Sequence, residues 1–93
     1  MNTRNLIEAV AAKAGLSGAD AEAAVKATLE VVRDQVAAGE RVTLAGFGTF
    51  EARDRAARTG RNPQSGETMQ IAAARIPAFR AASGFREQTS PRS

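Results

Sequence analysis

The fold is decided by the stretch Arg58-Thr59-Gly60-Arg61-Asn62-Pro63-Gln64-Ser65-Gly66. These nine residues include two arginines, two glycines and one proline, with no acidic residue and no large apolar side chain. Asn-Pro and glycine favour turns, so the stretch predicts the tip of a β-hairpin whose strands run from Thr49 to Arg58 and from Glu67 to Ile76. A loop that only joined two strands would not need the arginines.

The strand that leads into this tip is rich in cations. The basic run formed by Arg53, Arg55, Arg58 and Arg61 contains a single acidic residue, Asp54. Side chains two residues apart point to the same face of a strand, so Arg53 and Arg55 share a face and Asp54 lies on the other. A row of cations that ends in a rigid apolar ring suits a device that grips a polyanion and pushes into it. Nucleic acid is the polyanion that this pattern indicates.

Two helices and a short strand precede the hairpin. Apolar residues recur at three- and four-residue steps from Leu6 to Ala14 and from Ala21 to Val36, which predicts two amphipathic helices. Gly15 is suited to end the first of them in the left-handed conformation. The residues Val42-Thr43-Leu44 then favour a strand, so a helical hairpin leads into a sheet.

Glycine and phenylalanine mark the remaining turn and the final helix. The segment Gly46-Phe47-Gly48 predicts a tight bend with Phe47 pointing inward. It does not form a dinucleotide-binding fingerprint, because Glu51 stands where the third glycine is required and no helix is expected to follow. The segment Gly84-Phe85-Arg86 suits a short final helix. The predicted organisation is a single domain over residues 1–87, with a β-hairpin arm at about 53–74, and a flexible polar tail over 88–93.

Composition excludes several classes of function. The chain has 93 residues and a net charge of +3, with neither Cys nor His, which removes thiol and imidazole catalysis and thiolate metal sites. We therefore expect no enzyme, no catalytic or metal-binding residue and no cofactor. The sequence also contains no apolar run long enough for a membrane span and no export signal, so we expect a cytoplasmic protein that does not bind membranes.

The basic charge is concentrated in one half of the chain. Residues 51–93 hold eight arginines against four acidic residues, whereas residues 1–50 hold five basic residues against six acidic ones. This asymmetry places the polyanion-binding part in the second half. Arginine makes up eleven of the thirteen basic residues, which suits phosphate and narrow-groove contacts and is equally explained by a GC-rich genome.

The apolar content outside the arm is small for an independent domain. About 70 residues remain without the arm, and a domain of this size commonly gains stability by association. We therefore expect a dimer whose core is shared across a two-fold axis, the alternative being a monomer that keeps these rings in its own core. The residues predicted for the dimer core are Phe47, Phe50, Phe79, Leu29 and Leu44.

Three motifs in the same order resemble one known family. The tip Arg58–Gly66, the segment Gly46-Phe47-Gly48-Thr49-Phe50 and the segment Ile76-Pro77-Ala78-Phe79 together are similar to the bacterial histone-like DNA-binding family, which comprises HU and integration host factor. The similarity extends from residue 1 to about 87 without a gap, and the sequence is nearer to HU. The resemblance implies an α+β fold and an intertwined dimer. The fold has an N-terminal helical hairpin, a three-stranded antiparallel sheet with a long protruding β-hairpin arm, and a short C-terminal helix.

The resemblance also implies which residues contact DNA. The arm positions that match are Arg53, Arg55, Arg58, Arg61, Asn62, Pro63 and Gln64. Arg75 lies near the base of the arm, where the family is variable, and Arg80 and Arg86 form a basic flank on the body, where a solvated charge is the equal alternative. Thr3 and Ser83 stand where many relatives have a basic residue, which weakens the expected clamp on DNA along the body.

The function implied is that of an architectural double-stranded DNA-binding protein of the bacterial nucleoid. It would bend, wrap and compact DNA with little sequence specificity, through arginine-rich arms in the minor groove and a proline wedge at each tip. Bent or nicked DNA is the expected partner, and the chain would pair with itself or with a close paralogue. Two alternatives stay open: a sequence-specific subunit like integration host factor, and RNA binding, which the absence of stacking aromatics in the arm disfavours. For Pro63 itself, the simpler reading is a turn residue that follows Asn62.

Overall fold

The computed structural model of the chain describes residues 1–91 and contains three helices and five strands. The elements in chain order are α1 (Thr3–Ala14), α2 (Gly18–Ala37), β1 (Val42–Leu44), β2 (Gly48–Arg55), β3 (Arg58–Arg61), β4 (Thr68–Ile71), β5 (Ala74–Ala81) and α3 (Ser83–Thr89). The chain divides into two compact units, Met1–Asp34 and a second unit that begins at Gln35. None of the helices in the described part of the chain is long and apolar enough to cross a membrane.

Local side-chain chemistry sets the ends of the helical hairpin. The Asn5 backbone N–H donates to the Asn2 side chain at 2.9 Å, and the Asn2 backbone N–H donates back to Asn5 Oδ1 at 3.2 Å. Gly15 ends α1 with φ 69°, the left-handed conformation that glycine adopts without strain. The Ser17 hydroxyl accepts a hydrogen bond from the Asp20 backbone N–H at 3.1 Å at the start of α2. The predicted helical hairpin is thereby confirmed.

The second unit contains two antiparallel sheets. One has the strand order β1-β2-β5, and the other pairs β3 with β4. The pairing of β2 with β5 and that of β3 with β4 follow one continuous register: Gly48 faces Ala81, Arg55 faces Ala74, and Arg58 faces Ile71. Both sheets therefore belong to one long ribbon that leads to the tip, and the ribbon is two-stranded beyond Phe50 because β1 pairs only as far as that residue.

The ribbon differs from the two unbroken strands that the sequence predicts. Pairing stops at Ala56-Ala57 on one side and at Ala72-Ala73 on the other, where neither segment is a strand. Alanine is depleted in strands and offers little cross-strand packing. Four facing alanines therefore leave this part of the ribbon without side-chain support.

The final helix extends beyond its predicted end. Gln88 and Thr89 belong to α3, whereas the sequence predicts a flexible tail from residue 88. The Thr89 hydroxyl donates to the carbonyls of Phe85 and Arg86 at 3.3 and 3.1 Å, so the last turn satisfies its own polar groups. Of the remaining tail, residues 92 and 93 lie outside the described part of the chain, and its flexibility stays a prediction.

Four phenylalanine rings form the apolar cluster of the second unit. Phe47 lies 5.4 Å from Phe79 and 5.2 Å from Phe85 between ring centroids, and Phe50 lies 4.7 Å from Phe79. Phe47 points into this cluster, as predicted, but remains 45% exposed, and Phe79 remains 40% exposed. Phe85 is a full member of the cluster, although the sequence predicts for it only a place in the final helix.

Gly48 allows the Phe79 ring to pack against the β2 backbone. A methyl group added at Gly48 would lie 2.5 Å from two ring carbons of Phe79 and 2.6 Å from the Arg80 carbonyl oxygen. Neither group can retreat easily, since Phe79 belongs to the ring cluster and the carbonyl belongs to the paired strand β5. The glycine at this position is thus required by the packing of the sheet.

We expect Gly48→Ala to lower the free energy of unfolding by about 1–3 kcal/mol or more, because overpacking forces the ring and the strand apart. Gly84→Ala is the matched control: a methyl group there meets nothing within 4 Å, and alanine is favoured over glycine in a helix. Thermal unfolding of both variants checks this. Equal stability of Gly48→Ala and the parent would contradict the packing described.

Candidate nucleic-acid interface

The register of the three-stranded sheet separates polar from apolar side chains. Directly opposed residues of antiparallel strands share a face, and Phe50 is opposed by Val42 on one side and by Phe79 on the other. Leu44 lies on the same face as these three, two residues along β1. The opposite face carries Thr43, Thr49, Glu51, Arg53, Arg55 and Arg80. The first face is therefore apolar as far as Ala52 and Pro77, beyond which it carries the Asp54–Arg75 pair. The second face is mainly polar and cationic, although Ile76 and Ala78 of β5 also lie on it.

Glu51 gathers three arginines on the cationic face. Its carboxylate lies 3.5 Å from Arg41 Nε, 3.6 Å from Arg53 Nη2 and 3.9 Å from Arg80 Nη2. The Glu51 side chain is 15% exposed, whereas the arginine side chains are 56–64% exposed. The arginines thus cover the carboxylate and keep their own outer surfaces open to solvent. With three cations around one anion, the cluster has a net charge of +2.

Arg75 is held at the base of the ribbon. It faces Asp54 directly across the strands, and its Nε lies 3.7 Å from Asp54 Oδ1. A methyl group added at Gly39 would lie 2.7 Å from Arg75 Nη2, so the guanidinium lies against the Gly39 backbone. Asp54, which stands between Arg53 and Arg55 in β2, therefore pairs with Arg75 across the ribbon.

Four of the predicted contact arginines have no carboxylate within 4 Å among residues 1–91. They are Arg55, Arg58, Arg61 and Arg86, and all are exposed. Arg58 and Arg61 belong to β3, and Arg55 ends β2. These three cations stand along the ribbon between the Glu51 cluster and the tip, with their charge uncompensated by the described part of the chain.

Asn62 organises the tip of the ribbon. Its backbone N–H donates to the Glu67 carbonyl at 2.8 Å, and its carbonyl accepts from the Gly66 N–H at 2.8 Å. Its side-chain Oδ1 accepts from the Gln64 N–H at 2.9 Å. Gly66 has φ 73°, which closes the turn. Pro63 and Gln64 are exposed, whereas Asn62 is half-buried, so the proline ring is presented to solvent at the end of the ribbon.

The predicted site residues therefore fall into four places. Arg53 and Arg80 belong to the Glu51 cluster, Arg75 pairs with Asp54, and Arg86 lies on α3. The ribbon and its tip carry the other six, Arg55, Arg58, Arg61, Asn62, Pro63 and Gln64. Sequence reasoning missed Arg41 and Glu51, because their meeting depends on the pairing of β1 with β2, and strand register is not evident from the two segments alone.

The chain combines a helical hairpin, a three-stranded antiparallel sheet and an arginine-bearing ribbon with an exposed proline at its tip. This combination places it in a class of small basic α+β proteins. A family model described as bacterial DNA-binding protein matches residues 1–90. The chain belongs to this family of bacterial DNA-binding proteins.

The relatives and solved structures agree with this assignment. HU of Nostoc sp. is 48% identical over 91 residues, which cover 98% of this chain and 97% of the relative. HU of Lactococcus lactis is 55% identical over 86 residues, or 92% of this chain and 94% of the relative. Anabaena HU, solved in a cocrystal with DNA, has a TM-score of 0.92 at 48% identity and covers 99% of this chain and 100% of its own. HU of Thermotoga maritima has a TM-score of 0.68 at 27% identity, covering 97% of this chain and 100% of its own.

Proposed function

We propose that this chain bends double-stranded DNA by placing its arginine-bearing ribbon in the minor groove and inserting Pro63 at a base step. Membership of the family makes it an architectural DNA-binding protein, a non-enzymatic role. The observation that carries the finer proposal is the tip: an exposed proline at the end of a ribbon whose Arg55, Arg58 and Arg61 have no carboxylate partner in the described part of the chain. Apolar wedges beside minor-groove cations are the means by which such architectural proteins kink DNA.

The charge distribution supports phosphate and groove contacts as the main source of affinity. Arginine side chains enter narrow minor grooves, and phosphate neutralisation releases counterions from the DNA. Contacts of this kind carry little sequence information, which agrees with a protein of low sequence specificity. Bent or nicked DNA is the preferred partner in this proposal, since part of its deformation is already made, and the protein would act in the nucleoid.

The arm does not have the features of a single-strand or RNA reader. Such proteins stack bases on aromatic side chains, and residues 53–74 contain no aromatic residue. The four phenylalanines contact one another in the ring cluster of the second unit. Duplex DNA therefore remains the partner that the site favours.

A single copy of the chain leaves much of its apolar surface exposed and buries only a small core. Among residues 1–91 only Ala21, Val25 and Val36 are buried apolar side chains. Four of the five predicted dimer-core residues are instead exposed by 40–49% in the single chain: Leu29, Leu44, Phe47 and Phe79. A second copy of the chain that covers these residues gives each unit the core it lacks. We therefore include a homodimer with two arms in the proposed function.

Replacing Phe47 with Ala tests the dimer. If a partner copy buries the ring, the substitution should cost about 3–5 kcal/mol, a large share of a typical stability of about 5–15 kcal/mol. Met69→Ala is the matched control, because Met69 is 47% exposed but lies on the arm and should stay exposed. The parent should also unfold at a midpoint that rises with protein concentration. A concentration-independent midpoint with a monomer mass would refute the dimer.

Mutations should distinguish the contribution of Pro63 to DNA bending from the contribution of the arginines to affinity. Pro63→Ala keeps every arginine, so the salt dependence should barely change while the DNA bend angle falls. Arg58→Ala combined with Arg61→Ala should weaken binding to all duplexes and flatten the salt dependence from an expected slope of about −5 for roughly six neutralised phosphates per dimer. Energy transfer on end-labelled duplexes at saturating protein measures the bend, and titrations at several salt concentrations measure the slope.

Two results would contradict this assignment. A parental bend angle for Pro63→Ala would make the proline a turn residue only, and a parental slope shallower than about −2 would mean that the arms are not the main contact. Scrambling the DNA sequence at fixed length should change affinity little. A large loss on scrambling would favour a sequence-specific protein like integration host factor.

Glu51 gives a prediction of opposite sign from the arginine variants. Its carboxylate competes with DNA phosphates for Arg41, Arg53 and Arg80, and partly exposed ion pairs of this kind contribute only about 0–1 kcal/mol. Glu51→Gln should therefore tighten DNA binding, by up to about fivefold, and steepen its salt dependence. Glu67→Gln is the control, because it removes the same charge from a carboxylate that has no ion pair among residues 1–91. Weaker binding by Glu51→Gln would mean that the carboxylate is needed to orient the arginines.

A further inference from the structure

The side chain of Asn62 forms a hydrogen bond within the tip of the ribbon. We propose that Asn62 is a positioning residue that fixes the direction of the Pro63 ring through the hydrogen bond between its side-chain Oδ1 and the Gln64 N–H. The inference rests on the proposed wedge function of Pro63 and concerns how the tip is prepared before DNA arrives.

The bond spans the proline. Oδ1 of Asn62 and the backbone N–H of Gln64 are 2.9 Å apart, so the residues on both sides of Pro63 are tied together by one side chain. Proline has a fixed φ, and the remaining freedom of the ring lies in the rotation of the backbone before and after it. A side-chain-to-backbone turn of this kind restricts that rotation.

Asn62 is itself anchored to the strands. Its N–H donates to the Glu67 carbonyl and its carbonyl accepts from the Gly66 N–H, both at 2.8 Å. Asn62 and Glu67 continue the register of β3 and β4, in which Arg61 faces Thr68. Three hydrogen bonds therefore fix Asn62 relative to the strands, and Asn62 in turn fixes the orientation of Pro63 relative to the ribbon.

The same bonds limit what Asn62 offers to DNA. Its Oδ1 is already engaged by Gln64, so only its Nδ2 donors are left for DNA, and the residue is half-buried while Pro63 beside it is exposed. An effect of Asn62 on DNA bending is thus expected to pass through Pro63. Its arginine neighbours, by contrast, are expected to act on phosphates without any such intermediary.

A double-mutant cycle on the bend angle tests this dependence. Asn62→Ala removes the acceptor, Asn62→Asp keeps an oxygen in the same place, and each is combined with Pro63→Ala. The bend is measured by energy transfer on one end-labelled duplex at saturating protein, so that the added charge of Asn62→Asp changes affinity without obscuring the angle. Circular dichroism and the dependence of unfolding on protein concentration establish that every variant is folded.

The expected results are specific to positioning. Asn62→Ala should reduce the bend angle with an unchanged salt slope, Asn62→Asp should keep the parental angle, and Asn62→Ala with Pro63→Ala should bend DNA no less than Pro63→Ala alone. In the free protein, amide exchange at Gln64 should accelerate in Asn62→Ala and stay slow in Asn62→Asp.

Three results would contradict the positioning role of Asn62. If the two losses of bend angle add, Asn62 contacts DNA on its own account, and the positioning role is wrong. If Pro63→Ala reduces the bend while Asn62→Ala does not, the positioning role fails and the wedge stands. If Pro63→Ala itself leaves the bend unchanged, the wedge fails and the role of Asn62 fails with it.

Discussion

The antiparallel pairing of β2 with β5 is the constraint on which the other features of the second unit depend. Its register, from Gly48 opposite Ala81 to Arg55 opposite Ala74, places Phe50 and Phe79 on one face and Glu51, Arg53 and Arg80 on the other. A slip of one residue would exchange these faces and expose the rings while burying the charges. The close fit of Phe79 over Gly48 opposes such a slip.

The same register aligns the tip with the sheet. Pairing is interrupted at the facing alanines and resumes without an offset between β3 and β4, so the turn at Pro63 continues the geometry of the body. Only small side chains support the interruption. The ribbon therefore combines a well-paired base, a middle with only small side chains and a hydrogen-bonded tip.

The arginines of β2 and the ribbon are ion-paired near the body of the sheet and unpaired nearer to the tip. Near the body, Glu51 and Asp54 each lie beside arginines, whereas Arg55, Arg58 and Arg61 have no such partner in the part of the chain that the structure describes. Because exposed ion pairs are weak, the paired arginines remain available to phosphate at a small cost. The unpaired ones need no rearrangement, and they lie nearest to the proline. These unpaired arginines thus lie beside Pro63, the residue that we propose inserts into DNA.

The sequence by itself determined the helical hairpin, the turn chemistry of Asn62-Pro63 and the concentration of arginine in the arm. These follow from periodicity, backbone preferences and charge, which act between neighbours along the chain. The tertiary structure alone decided that Glu51 meets Arg41 and Arg80, that Asp54 is paired with Arg75, and that Phe85 joins the ring cluster. It also left Phe47 and Phe79 half exposed, and it broke the ribbon at four alanines. The reason is physical: these contacts join residues far apart in sequence, and their existence depends on a strand register that no local pattern specifies.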